Sequence, residues 1–168
     1  TYNNFIEKKE LNNIIFIPSY HNDTKMMNLS LQLNQLGIEN YNGRYDGPMD
    51  LINYKAVVHI PYAWSNLAFF EAFHLGVVYF IPSIYFFNKI REGKYFFWSP
   101  PFIPSLLEAS EWYNPNYDNL LIKFDSWDDL KNKINTLNYE EHKLKLKEFG
   151  KKHEEKTLNS WKLLLMIQ

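Results

Sequence analysis

The sequence contains no cysteine at all, which removes disulfides, thiolate metal sites and a cysteine nucleophile in one step. That absence suits a reducing compartment, and a cytoplasmic protein is expected. Charge of one sign is not in excess either. There are 18 Lys+Arg against 19 Asp+Glu, a formal net charge of -1, so no overall field attracts a polyanion and nucleic-acid binding is disfavoured. The longest apolar runs, such as 77–81, are strand-sized and far short of a membrane span. The opening TYNNFIEKKELNN has no signal-peptide pattern. Histidines are scattered at 21, 59, 74, 142 and 153 without ligand spacing, so no metal is expected.

What is present is apolar and aromatic: 46% of residues are hydrophobic and 18% are Phe, Trp or Tyr. A chain of 168 residues with that content can bury a substantial core as one domain. The order of elements implies a three-layer α/β fold, with a Rossmann-like parallel sheet over about 14–137 and a charged helical tail over about 139–168. Ile14 to Ile17 is a strand closed by Pro18. Asp23 or Thr24 is the expected cap of a helix carrying Met26, Leu29, Leu33 and Leu36 and stopping at Gly37. Ile38 to Tyr41 reads as a weak strand and Asn42 to Pro48, NGRYDGP, as a loop, followed by a short helix over Met49 to Tyr54. Asn119 to Phe124 supplies another strand, and Ser126 caps a helix over Trp127 to Leu137. Gly150 stands as a break candidate inside Tyr139 to Met166. The segment Ile84 to Tyr113 fits the alternation least, with one short helix expected near Ser105 to Trp112.

The stretch from Tyr54 to Ser83 carries the most chemistry. Val57, Val58 and Ile60 form a β-branched run closed by Pro61, and Val77 to Ile81 repeat it after Gly76, as two buried parallel strands would. Between them Ser65 is a natural N-cap for a helix from about Asn66 to Leu75, stopped by Gly76. Ala68, Ala72 and Leu75 share a face small enough to lie close on a sheet, whereas Glu71 falls on the side of Leu67 and His74.

The order P-x-x-x-S-N-x-x-x-x-E-A-x-x-x-G before an apolar strand resembles the C-terminal, nucleotide-sugar-binding half of GT-B fold glycosyltransferases. The resemblance implies a ribose-binding role for Glu71 and a diphosphate-facing turn at Ser65, Asn66 and Leu67. The stretch WYNPNYDNLLIKFDSWDDL looks like the last strand of that half and the helix after it. One departure stands out: the retaining branch usually carries another glutamate eight positions before the ribose glutamate, and here that position is Ala63. The resemblance further implies a nucleoside diphosphate sugar as donor, an acceptor held by a second Rossmann-like half that these residues do not contain, and transfer without a metal or other cofactor.

In an open parallel sheet, ligands bind outside the carboxyl ends of the strands. Other candidates at those ends are Tyr62, Arg44 and Gly43 in the NGRYDGP loop, Tyr41 or Tyr45 for stacking on a base, and His21 for a phosphate or acceptor hydroxyl. Each has a plainer reading. Ser65 and Asn66 serve equally as helix caps, Glu71 as a solvated helix carboxylate, Arg44 as a surface arginine, His21 as an exposed turn residue and His59 as a core histidine. The function expected is sugar transfer from a nucleoside diphosphate sugar. The alternative is a non-catalytic α/β binding or interaction module derived from such a domain.

Overall fold

The computed structural model describes residues 11–19, 28–61, 64, 68–91 and 104–166. Within them five strands, β1 (Ile15–Pro18), β2 (Asn40–Gly43), β3 (Ala56–Val58), β4 (Tyr79–Pro82) and β5 (Leu121–Phe124), form one sheet in the order β2-β1-β3-β4-β5. Every pairing is parallel, with Ile15 opposite both Asn40 and Ala56, Val57 opposite Tyr79, and Phe80 opposite Ile122. The central strands read as unbroken apolar runs because both of their faces are covered, and β1, β3 and β4 are buried at every position.

Helices α1 (Leu29–Gln35), α2 (Pro48–Leu51), α3 (Ala68–Leu75), α4 (Ile84–Arg91), α5 (Trp127–Thr136) and α6 (Tyr139–Met166) connect and follow the strands. The chain steps outward from β1 to β2 and then back past β1 to β3 and beyond. With right-handed crossovers this sets α1 on the opposite face from α3. The fold is therefore the expected Rossmann-like α/β sheet with a long C-terminal helix.

Several boundaries differ from the sequence reading, each for a local reason. The cap of α1 is Asn28, whose side chain accepts from Leu31 N; Asp23, Thr24 and Met26 lie outside the described residues. Leu29 and Leu33 are buried as expected, and Gly37 ends the helix with φ +71°. Strand β2 is displaced to Asn40–Gly43, so Gly43 belongs to the sheet edge and not to the loop. Its register is held by polar bonds: Ser30 Oγ donates to Asn40 Oδ1 at 2.6 Å, and Asn40 Nδ2 donates to Asn34 Oδ1 at 2.8 Å.

Helix α4 was not expected. It opens where Ser83 Oγ accepts from Phe86 N at 3.2 Å, and it buries Phe86 and Phe87. The region before β5 is a series of 3-10 turns, Pro104–Ala109, Glu111–Tyr113 and Pro115–Tyr117. Ser126 does cap α5, accepting from Asp129 N at 3.0 Å. Helix α6 runs through Gly150 without a break, and that glycine is where it meets α3.

Candidate functional site

The strand order reverses between β1 and β3, because β1 leads to the β2 side and β3 to the β4 side. A crevice at the carboxyl ends of these two strands is the ligand position of doubly wound sheets with this order. Helix α3 starts from that end. Its buried side is aromatic as well as small: Phe69, Ala72 and Phe73 face the core, and Phe69 meets Phe73 at 4.1 Å and Trp112 at 4.9 Å between ring centroids.

Glu71 lies in the first turn of α3 on the outer side, exposed, and its carboxylate has no hydrogen-bond or ion-pair partner among the described residues. It lines an open groove of about 570 Å³ bounded by Pro48 at the start of α2, by Phe70, His74 and Leu75 of α3, and by Gly150, His153 and Glu154 of α6. The groove has an aromatic wall, since Phe70 and His153 stack at 4.7 Å and 7°. At its rim His74 Nδ1 is 3.8 Å from Glu154 Oε2. A carboxylate beside a ring-lined groove offers acceptors to hydroxyl donors and a flat face to a planar group.

The other predicted residues are distributed differently. Tyr41, Gly43 and Arg44 are at the end of β2, on the far side of β1 from β3, and do not line the Glu71 groove. The Tyr41 ring is 44% exposed but stacks on Tyr54 at 6.0 Å and 12°, and it covers Gly43 so closely that a Cβ there would sit 2.5 Å from Tyr41 Cε1. Arg44 is exposed, without an ion pair among the described residues. Tyr45 is edge-on to Phe16 at 5.7 Å. Ser65, Asn66, Leu67, Tyr62 and His21, together with Ala63, lie outside the described residues.

His59, just past β3, is fully buried and stacks on Trp112 at 4.3 Å. Burial pushes its pKa down to about 3, so the ring is neutral at physiological pH. Among the described residues no three His, Cys, Asp or Glu side chains gather as a metal site, and no helix is long and apolar enough to cross a membrane.

One carboxylate at this end of the sheet escaped the sequence reading. Glu111 sits in the turn beside Trp112, and its backbone N–H donates to Trp64 O in the β3–α3 connection at 2.9 Å. Its Oε2 is buried without a hydrogen-bond partner among the described residues. The phenol of Tyr117 is raised in pKa by burial and then by the charge of Glu111. Nothing local in E-W-Y announces this, because the contacts that place Glu111 come from distant parts of the sequence.

Comparison of the chain with protein-family models, with curated proteins and with solved structures finds no match in any of the three.

Proposed function

We propose that this domain binds a nucleoside diphosphate sugar and acts as the donor-binding half of a glycosyltransferase in the cytoplasm. The observation that carries the reading is Glu71: a carboxylate exposed in the first turn of the helix leaving β3, at the ligand-binding end of a doubly wound sheet, with no partner among the described residues. In this reading Glu71 accepts from the ribose hydroxyls. The resemblance assigns the diphosphate to Ser65, Asn66 and Leu67, which precede α3 in the sequence, and the N-terminus of a helix favours an anion. Charge developing on the leaving diphosphate is met there. The acceptor and any catalytic base come from a second Rossmann-like half on another part of the protein or on a partner.

Calorimetric titration with a panel of nucleotides tests this. Selective binding of one nucleoside diphosphate supports it, and no binding to any of them overturns it. Ala63, in place of a donor-contacting glutamate, favours a second reading, a non-catalytic binding or interaction module, for which the panel gives no heat. A receiver-like signalling role shares the strand order but needs clustered acids at the end of β1, where the sequence offers Asp23 alone.

A further inference from the structure

We infer that the chain carries an anion site separate from the Glu71 groove: a lysine-lined cavity at the amino ends of β3 and β4 that takes a phosphate group, free or on a small metabolite. The cavity measures about 270 Å³ and is lined by Lys55, which leads into β3, and by Lys143 and Lys147, one turn apart on α6. Its apolar wall comes from Leu51 at the end of α2, Leu75 at the end of α3 and Val77 shortly before β4. This is the opposite end of the sheet from the one at which a nucleotide is expected. The inference therefore goes beyond the donor-binding reading and does not rest on it.

Two of the lysines are positioned by packing. Lys55 Nζ stands 5.1 Å from the centre of the Tyr139 ring, a cation over an aromatic face. The stem of Lys147 runs along Gly76, where an added Cβ would meet its Cε at 2.9 Å and its Cγ at 3.3 Å. Lys143 Nζ is 3.7 Å from Glu140 Oε1, but that carboxylate is 87% exposed, and a pair so open to water contributes little. Among the described residues none of the three ammonium groups donates a hydrogen bond, and no carboxylate lines the cavity.

Lysine near a helix end ordinarily serves the negative end of the helix dipole, and α3 ends here. That end is already closed by its own backbone, with Gly76 N donating to Phe73 O and Val77 N to Ala72 O, both at 2.9 Å. The partial charge there, about half a unit, needs one ammonium at most. Three positive groups around one cavity leave a surplus that repels itself. A bound anion removes that repulsion, and phosphate, doubly charged and rich in acceptor oxygens, suits ammonium groups acting as point charges. The apolar wall gives a short carbon skeleton a place to lie.

Titration of the full chain with inorganic phosphate and with glycerol 3-phosphate, at an ionic strength held constant with sodium chloride, tests this by calorimetry and by amide chemical shifts. The amides of Gly76, Val77 and the Lys143 to Lys147 turn should shift saturably, and Lys143→Gln with Lys147→Gln should weaken binding by about tenfold or more. Tighter binding of glycerol 3-phosphate supports the site and makes an ester the source of the phosphate; equal affinity supports it with free phosphate as the ligand. No saturable shift with either compound, shifts centred elsewhere, shifts reproduced by sodium chloride alone, or a double variant that binds as tightly as the parent each overturn the inference. If the double variant does not fold, the shifts of the parent decide alone.

Discussion

Gly150 lies against the backbone of His74 so closely that a Cβ added to it would stand 2.5 Å from His74 Cα and 2.9 Å from His74 N. The approach joins α6 to α3 and closes one side of the groove that Glu71 lines. Gly150→Ala should therefore destabilise the fold despite the roughly 1 kcal/mol by which alanine favours a helix interior. The obstructing atoms are backbone and cannot rotate aside, so the two helices must separate, at a net loss of about 1–3 kcal/mol. Urea unfolding measures it, and a stabilised variant would contradict the contact.

Glu71→Ala should leave the domain folded, since the side chain is exposed and bonds to nothing among the described residues. On the proposed function it should weaken nucleotide binding, each lost charge-assisted bond to a ribose hydroxyl being worth roughly 1.5–3 kcal/mol. Unchanged affinity in calorimetry would remove the ribose role from Glu71.

How much of this was legible depended on where the deciding contacts lay. Strands β1, β3 and β4 and the Ser126 cap are written in short apolar runs and single residues, and all four are present, although β4 begins at Tyr79 and not at Val77. Strand β2 was read two residues early because its register is set by Ser30, Asn34 and Asn40, polar groups invisible to a hydrophobic pattern. Helix α4 was hidden by aromatic density around it; Phe86 is sorted into the core by Phe124 at 5.7 Å and Trp127 at 5.2 Å, both distant in sequence. Gly150 looked like a helix break because glycine weakens helices, yet its reason for being there is the backbone of α3. Glu71 stands out in the sequence through its local setting, whereas Glu111 does not, because the contacts that place it come from distant residues.

Acid should destabilise the protein through His59. Its folded pKa, about 3, is below the ordinary value of 6.5 because burial disfavours the cation. Above pH 6.5 both folded and unfolded forms are neutral, and this group gives no pH dependence. As pH falls from 6.5 towards 3, the unfolded chain takes up a proton that the folded one refuses, and stability is lost at up to about 1.4 kcal/mol per pH unit. His142, lowered chiefly by burial while its Nε2 contacts Leu120 O at 2.9 Å, acts in the same direction. Denaturant unfolding from pH 7 to 4 should show a shallower decline in His59→Gln than in the parent, and parallel curves would contradict the assignment.

Ser126→Ala tests the start of α5. The variant removes the acceptor for Asp129 N, leaving a helix donor without its partner. A loss of about 1 kcal/mol is expected in thermal or urea unfolding.

Helix α6 has 28 residues, and every position from 154 to 165 is exposed, Trp161 by 60%. At about 1.5 Å per residue it is about 42 Å long, far more than strands of three or four residues can back. Its two parts therefore answer to different forces. Leu146 and its neighbours are helical because α3 and the sheet require it, whereas the outer turns are helical because they extend a nucleus already formed. Amide exchange along this one helix should then read as a gradient: protons near Leu146 wait for the domain to open, and those beyond Glu154 exchange by unravelling from the end, each with a protection set by its distance from the last packed turn.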